Sequence, residues 1–292
     1  MRIGALEAGG TKMVCAIGNE NGEILDQISI QTKEPKDTMP QIISYMKEHK
    51  VETLGVGCFG PVDLNQKSET YGYITATPKI AWRDYNIVGT LKKELQIPIG
   101  IDTDVNGSVL GEVTFGCAKN LDSVIYITIG TGVGVGVYAN GALLHGMLHP
   151  EAGHILIPLH KKETYIGKCP YHKNCFEGLA AGPAIEDRYG KKAIDLKDKI
   201  EVWDMEAYYI AQAIITYIYT YSPQKIILGG GVMHQEQLFS MIRKEVEKYN
   251  AGYIKTKEME SLETYIVPAS LNDNQGILGA MELGRRAYIE NK

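Results

Sequence analysis

Three groups of residues in this chain have the types and spacing to do chemistry. The first is a pair of small-residue hairpins, Leu6-Glu7-Ala8-Gly9-Gly10-Thr11-Lys12 and Ile129-Gly130-Thr131-Gly132-Val133-Gly134. Each lies between apolar, β-branched runs, which reads as strand, tight turn, strand. Glycine lets the backbone turn at positive φ and approach a ligand closely. Backbone N–H groups and a Thr hydroxyl exposed in such a turn suit an anion such as phosphate. One such turn in each half of the chain points to two lobes closing on one nucleotide.

The second group is Asp102-Thr103-Asp104-Val105-Asn106, where a strand passes into a helix. Carboxyl ends of strands are where α/β folds build their sites. In phosphoryl transfer a carboxylate must accept the proton of the attacking hydroxyl, and Asp104 is the candidate. A plain helix cap at Asp102 or Asp104 fits the same residues. The third group is Cys169-Pro170-Tyr171-His172-Lys173-Asn174-Cys175, a knuckle on a Pro- and Gly-flanked loop. His154 can supply a fourth ligand, with His145, His149 and His160 as competitors. Such a closed Cys2His2 set around zinc would be structural. A surface loop with unrelated thiols and imidazoles is the alternative. A zinc hydrolase needs an open coordination position and leaves the glycine turns unexplained. Glu151 and His154, with Glu177 just after the knuckle, complete a polar set able to hold sugar hydroxyls in fixed directions. Glu177 suits the first turn of a helix equally well.

The elements around these groups follow from periodicity and turn signals. Residues 1 to about 32 read as a three-strand meander, 37–50 as a helix with Met39, Ile42 and Met46 on one face, and 53–58 as a buried strand. A helix over 84–95 takes Asp84 as its cap, Ile97 to Ile101 form a strand, and a helix runs from Asp102 to Val113. The theme then repeats. Strands cover 123–129 and 133–138, with a third at Ile155 to Leu159. Helices follow at about 176–189 and 203–221, a strand at Lys225 to Leu228 ends in Gly229-Gly230-Gly231, and the remainder is a helix over 235–249, a strand at 265–267 and a helix over 274–289. The fold class is α/β, a βββαβα pattern occurring twice. The expected boundary is near Phe115-Gly116, giving lobes 1–116 and 117–274, with the last helix (275–292) packing back onto the first.

The chain has 292 residues and a formal net charge of −5, so nothing attracts nucleic acid strongly. Without an apolar run of about 18 residues, no transmembrane helix is expected. No signal peptide is read at the N-terminus. Five cysteines argue against a disulfide framework and for a reducing cytoplasm. Cys15, Cys58 and Cys117 are expected as core fillers.

Taken together, the motifs resemble the ROK family of sugar kinases and regulators. Glu7-Ala8-Gly9-Gly10-Thr11-Lys12 and Gly130-Thr131-Gly132-Val133-Gly134 are similar to its phosphate loops. Asp102 to Asn106 is similar to its catalytic segment. Glu151-Ala152-Gly153-His154, Cys169 to Cys175 and Glu177 to Pro183 are similar to its zinc and sugar signature, and Gly229-Gly230-Gly231-Val232 to its adenosine-side turn. The resemblance implies an actin-like ATPase (ribonuclease H-like), two-lobed kinase fold. ATP and catalytic Mg2+ would lie against Gly9, Gly10, Thr11, Lys12, Gly130, Thr131, Gly132 and Gly229 to Gly231. Asp104 would be the base, with Thr103, Asp104, Glu151, His154 and Glu177 around the sugar. Structural Zn2+ would sit on His154, Cys169, His172 and Cys175, His154 using different ring nitrogens for sugar and metal. A homodimer is the family expectation.

Three positions depart from the broad family pattern: Glu7 for Asp, Thr103 for Asn, and His172 for Cys. Glu7 is one methylene longer, which bears on metal-ion geometry, and Thr103 removes an amide that family glucokinases use on the sugar. All three resemble the bacterial fructokinase branch, which implies fructose as substrate and fructose 6-phosphate as product. Glucokinase, mannokinase and N-acetylmannosamine kinase are the alternatives within the family. A DNA-binding regulator would need an N-terminal helix-turn-helix, and the first glycine turn begins at residue 6.

Overall fold

The computed structural model describes residues 1–77 and 79–292. In chain order the elements are β1 (Ile3–Ala8), β2 (Lys12–Gly18), β3 (Ile24–Gln31), α1 (Pro35–Glu48), β4 (Thr53–Cys58), β5 (Tyr73–Ile74), β6 (Tyr85–Asn86), α2 (Ile87–Leu95), β7 (Ile99–Thr103) and α3 (Asp104–Thr114). There follow β8 (Val124–Ile129), β9 (Val133–Ala139), β10 (Ala142–Leu143), α4 (Phe176–Ala180), α5 (Gly182–Tyr189), α6 (Ile200–Tyr221), β11 (Lys225–Gly229), α7 (Gln237–Asn250), α8 (Leu262–Tyr265), β12 (Ile266–Pro268) and α9 (Gln275–Glu290).

Two compact units result. One comprises Met1–Asn120, Leu143–His149 and Ser270–Lys292; the other comprises Leu121–Ala142 and Pro150–Ala269. The five-stranded sheet of the first has the order β3-β2-β1-β4-β7, and that of the second β10-β9-β8-β11-β12. In both, antiparallel hairpins lead into parallel neighbours.

In the first unit both sheet faces are covered, which is why β1 and β4 are mostly apolar, with Glu7 and Thr53 the polar exceptions. Leu6, Ala8, Val56 and Cys58 join a core with Met39, Ile42 and Met46 of α1 and Val88 and Leu91 of α2. Ile3, Ala5, Val14 and Ala16 pack instead against Ile277, Leu278, Ala280 and Met281 of α9. Glycines let α9 approach backbone to backbone: a Cβ at Gly279 would run into the Gly107 carbonyl of α3, and one at Gly55 into the Ala280 carbonyl.

Four local expectations need correction. The cap of α2 is Asn86, whose side chain accepts from Gly89 N at 2.6 Å; Asp84 has φ 57° and precedes the short strand β6. Residues 155–159 contribute only the Leu156–Cys175 bridge. Pro158 has no N–H to give a sheet, and the third strand of the second meander is β10. The helix expected over 176–189 breaks at Ala181, which is extended (ψ 151°). Pro183 cannot donate to the Leu179 carbonyl, and Arg188 Nη2 takes that acceptor at 2.8 Å. Cys15 and Cys58 are buried, but Cys117 is exposed, on a turn whose N–H is held by Glu112 Oε2 and Ser270 Oγ.

Candidate functional site

In the first unit the parallel register aligns Glu7, Gly57 and Asp102 in one row across β1, β4 and β7, with Ala8, Cys58 and Thr103 in the next. The carboxyl ends of three strands therefore meet where β1 enters its glycine turn and β7 enters α3. Thr32, just past β3, secures that turn: its Oγ1 donates to Gly9 O at 2.8 Å and its N–H to Thr11 O at 3.0 Å. Thr11 and Lys12 are exposed.

Thr103, not an aspartate, caps α3, accepting from Asn106 N at 3.1 Å. That engages the Thr103 oxygen and leaves its hydroxyl proton to donate. It also frees both neighbouring carboxylates from capping. Asp102 is buried and fully occupied: Oδ1 accepts from Thr103 N at 2.8 Å and Asn106 Nδ2 at 2.7 Å, and Oδ2 faces His145 Nε2 at 2.8 Å. The hydrogen bond to Asp102 raises His145 above its ordinary pKa. Asp104 opens α3 and accepts from Val105 N at 2.9 Å. Burial pushes its carboxyl up to about 6, although that bond pulls the other way. Burial, then the charge of Asp104, pushes Glu7 up to about 7, with Asp273 adding and Lys12 opposing. Two part-buried carboxyls with pKa values near neutrality can hold a cation or move a proton.

In the second unit the turn at 130–132 closes on itself, Gly130 N donating to Gly132 O at 2.9 Å, and Gly182 N at the start of α5 donates to Gly130 O at 2.8 Å. Glu177 sits in the first turn of α4 and its Oε2 accepts from Val133 N at 3.1 Å. The knuckle helix is thereby tied to the second glycine turn. Gly230 has φ 88°, and a Cβ there would strike Ile129 and Thr128. Gly130 lies beside Gly231, a Cβ on it falling 3.8 Å from the Gly231 nitrogen. The second and third glycine turns are thus neighbours. A cavity of about 610 Å³ adjoins the third, lined by Met233, His234, Phe239 and Arg243 among others.

Glu151 is exposed and precedes a 3-10 turn over Ala152–His154. Tyr217 Oη donates to Ala152 O at 2.7 Å, and Gly153 packs where a Cβ would meet Val133 O, which fixes His154. His154 Nδ1 lies 3.5 Å from Cys175 Sγ and 3.8 Å from Cys169 Sγ, and His172 Nδ1 lies 3.8 Å from Cys169 Sγ. One atom from each of the four residues falls within 4.8 Å of the others. Tetrahedral Zn–S and Zn–N bonds set S···N edges of about 3.5 Å, so the donor set and its spacing fit zinc. The competing histidines are engaged elsewhere: His145 on Asp102, His149 Nε2 accepting from Val62 N at 3.3 Å, and His160 Nδ1 accepting from Lys162 N at 3.2 Å.

The structure therefore gathers Glu7, Gly9 to Lys12, Thr103 and Asp104 in the first unit. Gly130 to Gly132, Glu177, His154, the knuckle and Gly229 to Gly231 belong to the second. Sequence reasoning missed the Asp102–His145 pair and the lining of the third-turn cavity. Only the position of Met233 and His234 just after three glycines offered a signal for the latter.

The ROK family pattern matches residues 3–287. A relative from Bacillus subtilis (strain 168) is 52% identical over 286 residues, covering 98% of this chain and 96% of that one. The fructokinase of Pediococcus pentosaceus is 45% identical over 287 residues, covering 98% and 99%. Among solved structures, the ROK hexokinase of Thermus thermophilus superposes with a TM-score of 0.80 at 22% identity, covering 100% of both chains. That likeness gives the fold, the actin-like ATPase class with its duplicated βββαβα pattern. The chain belongs to the ROK family.

Proposed function

We propose that this protein is an ATP-dependent fructokinase, converting D-fructose to D-fructose 6-phosphate with Asp104 as general base. The observation that carries the reading is near-full-length identity to fructokinases, joined to a carboxyl raised to about 6 at the mouth of α3. Asp104 takes the proton of the C6 hydroxyl as that oxygen bonds to the terminal phosphorus and the bond to the bridging oxygen of ADP breaks. Backbone N–H groups of Gly10, Thr11, Thr131 and Gly132 hold phosphates, Gly130 closes the second turn, Lys12 adds charge, and Gly229 to Gly231 with the adjoining cavity take the adenosine. Thr103, Glu151, Glu177 and His154, through Nε2, hold sugar hydroxyls. Magnesium, when bound, neutralises phosphate charge, and the part-buried carboxylate of Glu7 is suited to face it. Most of the acceleration comes from positioning and charge stabilisation.

His154, Cys169, His172 and Cys175 hold a structural zinc in this reading, and the chain works as a homodimer. Among the described residues no helix is long and apolar enough to cross a membrane, and five cysteines held as thiols rather than disulfides suit a reducing cytoplasm. Coupled ADP detection with fructose, mannose, glucose and N-acetylmannosamine tests the assignment. Fructose should give the highest kcat/KM. A higher value for any other sugar replaces fructose as substrate, and no turnover on all four ends the kinase reading.

A further inference from the structure

The segment before α2 carries a lysine against the first glycine turn. A Cβ added at Gly10 would fall 2.5 Å from Lys79 Cε and 3.2 Å from its Nζ, so the turn is bare of side chain where the ammonium lies. The backbone that carries Lys79 is held firmly. Lys79 O accepts from Trp82 N at 2.8 Å, and the buried Trp82 indole donates to Lys33 O at 2.7 Å. Phe59 and Tyr85 meet that indole edge-on, at centroid separations of 6.1 and 5.3 Å. Arg83 Nη2 donates to Thr77 O at 3.1 Å. Lys79 is only part-exposed, yet among the described residues no carboxylate pairs with its ammonium. A cation partly withdrawn from water and left unpaired is costly unless an anion joins it, and an ammonium is a compact point charge that suits phosphate oxygens.

We propose that Lys79 contacts the terminal phosphate of the bound nucleotide and neutralises charge on the phosphoryl group in transfer. This deepens the kinase reading above and rests on it. Its mate in the turn, Lys12, follows Thr11 directly, so two cations flank the same backbone loop.

The test compares wild type with Lys79→Met, Lys79→Gln and Lys79→Arg. Steady-state rates and calorimetric affinities for ADP, a non-hydrolysable ATP analogue and fructose are measured. In Lys79→Met, kcat should fall on the order of 10²–10³, the range for losing one transition-state donor. The KM for fructose should move less than about threefold, and the analogue should lose roughly tenfold more affinity than ADP, a differential of about 1.4 kcal/mol. Lys79→Arg should recover at least about tenfold in kcat over Met, by keeping the charge. A kcat within about threefold of wild type, or equal losses for ADP and analogue, overturns the proposal. If Lys79→Met does not fold, the Gln and Arg variants carry the same comparison. Should wild type phosphorylate no sugar, the kinase reading fails, and the nucleotide titrations alone decide Lys79: loss of wild-type preference for the analogue over ADP supports the contact, and its persistence removes it.

Discussion

Asp104 and Glu7 differ from most surface carboxylates in that folding works against their ionised forms. A carboxyl whose pKa rises on folding binds its proton more tightly in the native chain. Its ionisation then costs stability, fully above the native pKa and not at all below the ordinary carboxylate range. Between about pH 4 and pH 7 these two groups therefore erode stability as pH rises. Glu7→Gln, measured by calorimetry at pH 8 without ligands, should melt a few degrees higher than wild type, and the gain should vanish at pH 4. A lower melting temperature at pH 8 would mean that Glu7 is compensated in the folded chain. As a base Asp104 must be ionised, so kcat/KM for fructose should fall below pH about 6. Asp104→Asn should lower kcat on the order of 10²–10⁴ while sugar binding, followed by titration, survives. Near-normal turnover would reassign the proton acceptor.

Two elements connect the chemistry to the scaffold. Cys175 caps α4, its sulfur accepting from Gly178 N at 3.4 Å, and is a ligand in the proposed zinc set. Serine can cap as well as cysteine, so Cys175→Ser separates the roles: metal content by atomic absorption should drop to near zero and the melting temperature should fall, while α4 keeps its cap. Full zinc retention would remove Cys175 from the ligand set. At the other end of the chain, α9 meets α3 through glycines. Gly279→Ala places a methyl against the Gly107 backbone, which cannot rotate away. A loss near 3 kcal/mol by denaturant titration is expected, the upper part of the overpacking range. Both elements show what sequence can and cannot disclose. The glycine turns and the Asp102–Asn106 segment are readable because close approach and strand-end carboxylates leave local signals; the positive φ expected of the turns is found only at Gly230 of the third, Gly9, Gly10, Gly130 and Gly132 serving close approach instead. The Asp102–His145 pair joins residues 43 apart, and no periodicity announces it. The strand expected at 155–159 failed because apolar content outweighed Pro158 in the reading, whereas the hydrogen-bond ladder cannot ignore a missing donor.

Across the whole molecule the two sheets share one strand order, which is how the repeated pattern in the sequence came to be legible without any repeated identity. The units are not contiguous in the chain, however. Leu143–His149 and Ser270–Lys292 return to the first unit, with His145 and His149 bonded to Asp102 and Val62. Such returns depend on tertiary partners, and only the last helix signals its own from sequence, through its apolar face.

The helix that seals one face of the first sheet is synthesised long after the strands it covers. Until α9 emerges, Ile3, Ala5, Val14 and Ala16 have no cover, and the edge bearing Glu7 and Asp104 has no backing. A nascent chain halted at Ala269 should therefore expose an apolar sheet face and bind a hydrophobic dye. If that fragment instead resisted proteolysis as the full chain does, synthesis and assembly of the first unit would not be coupled through its last helix.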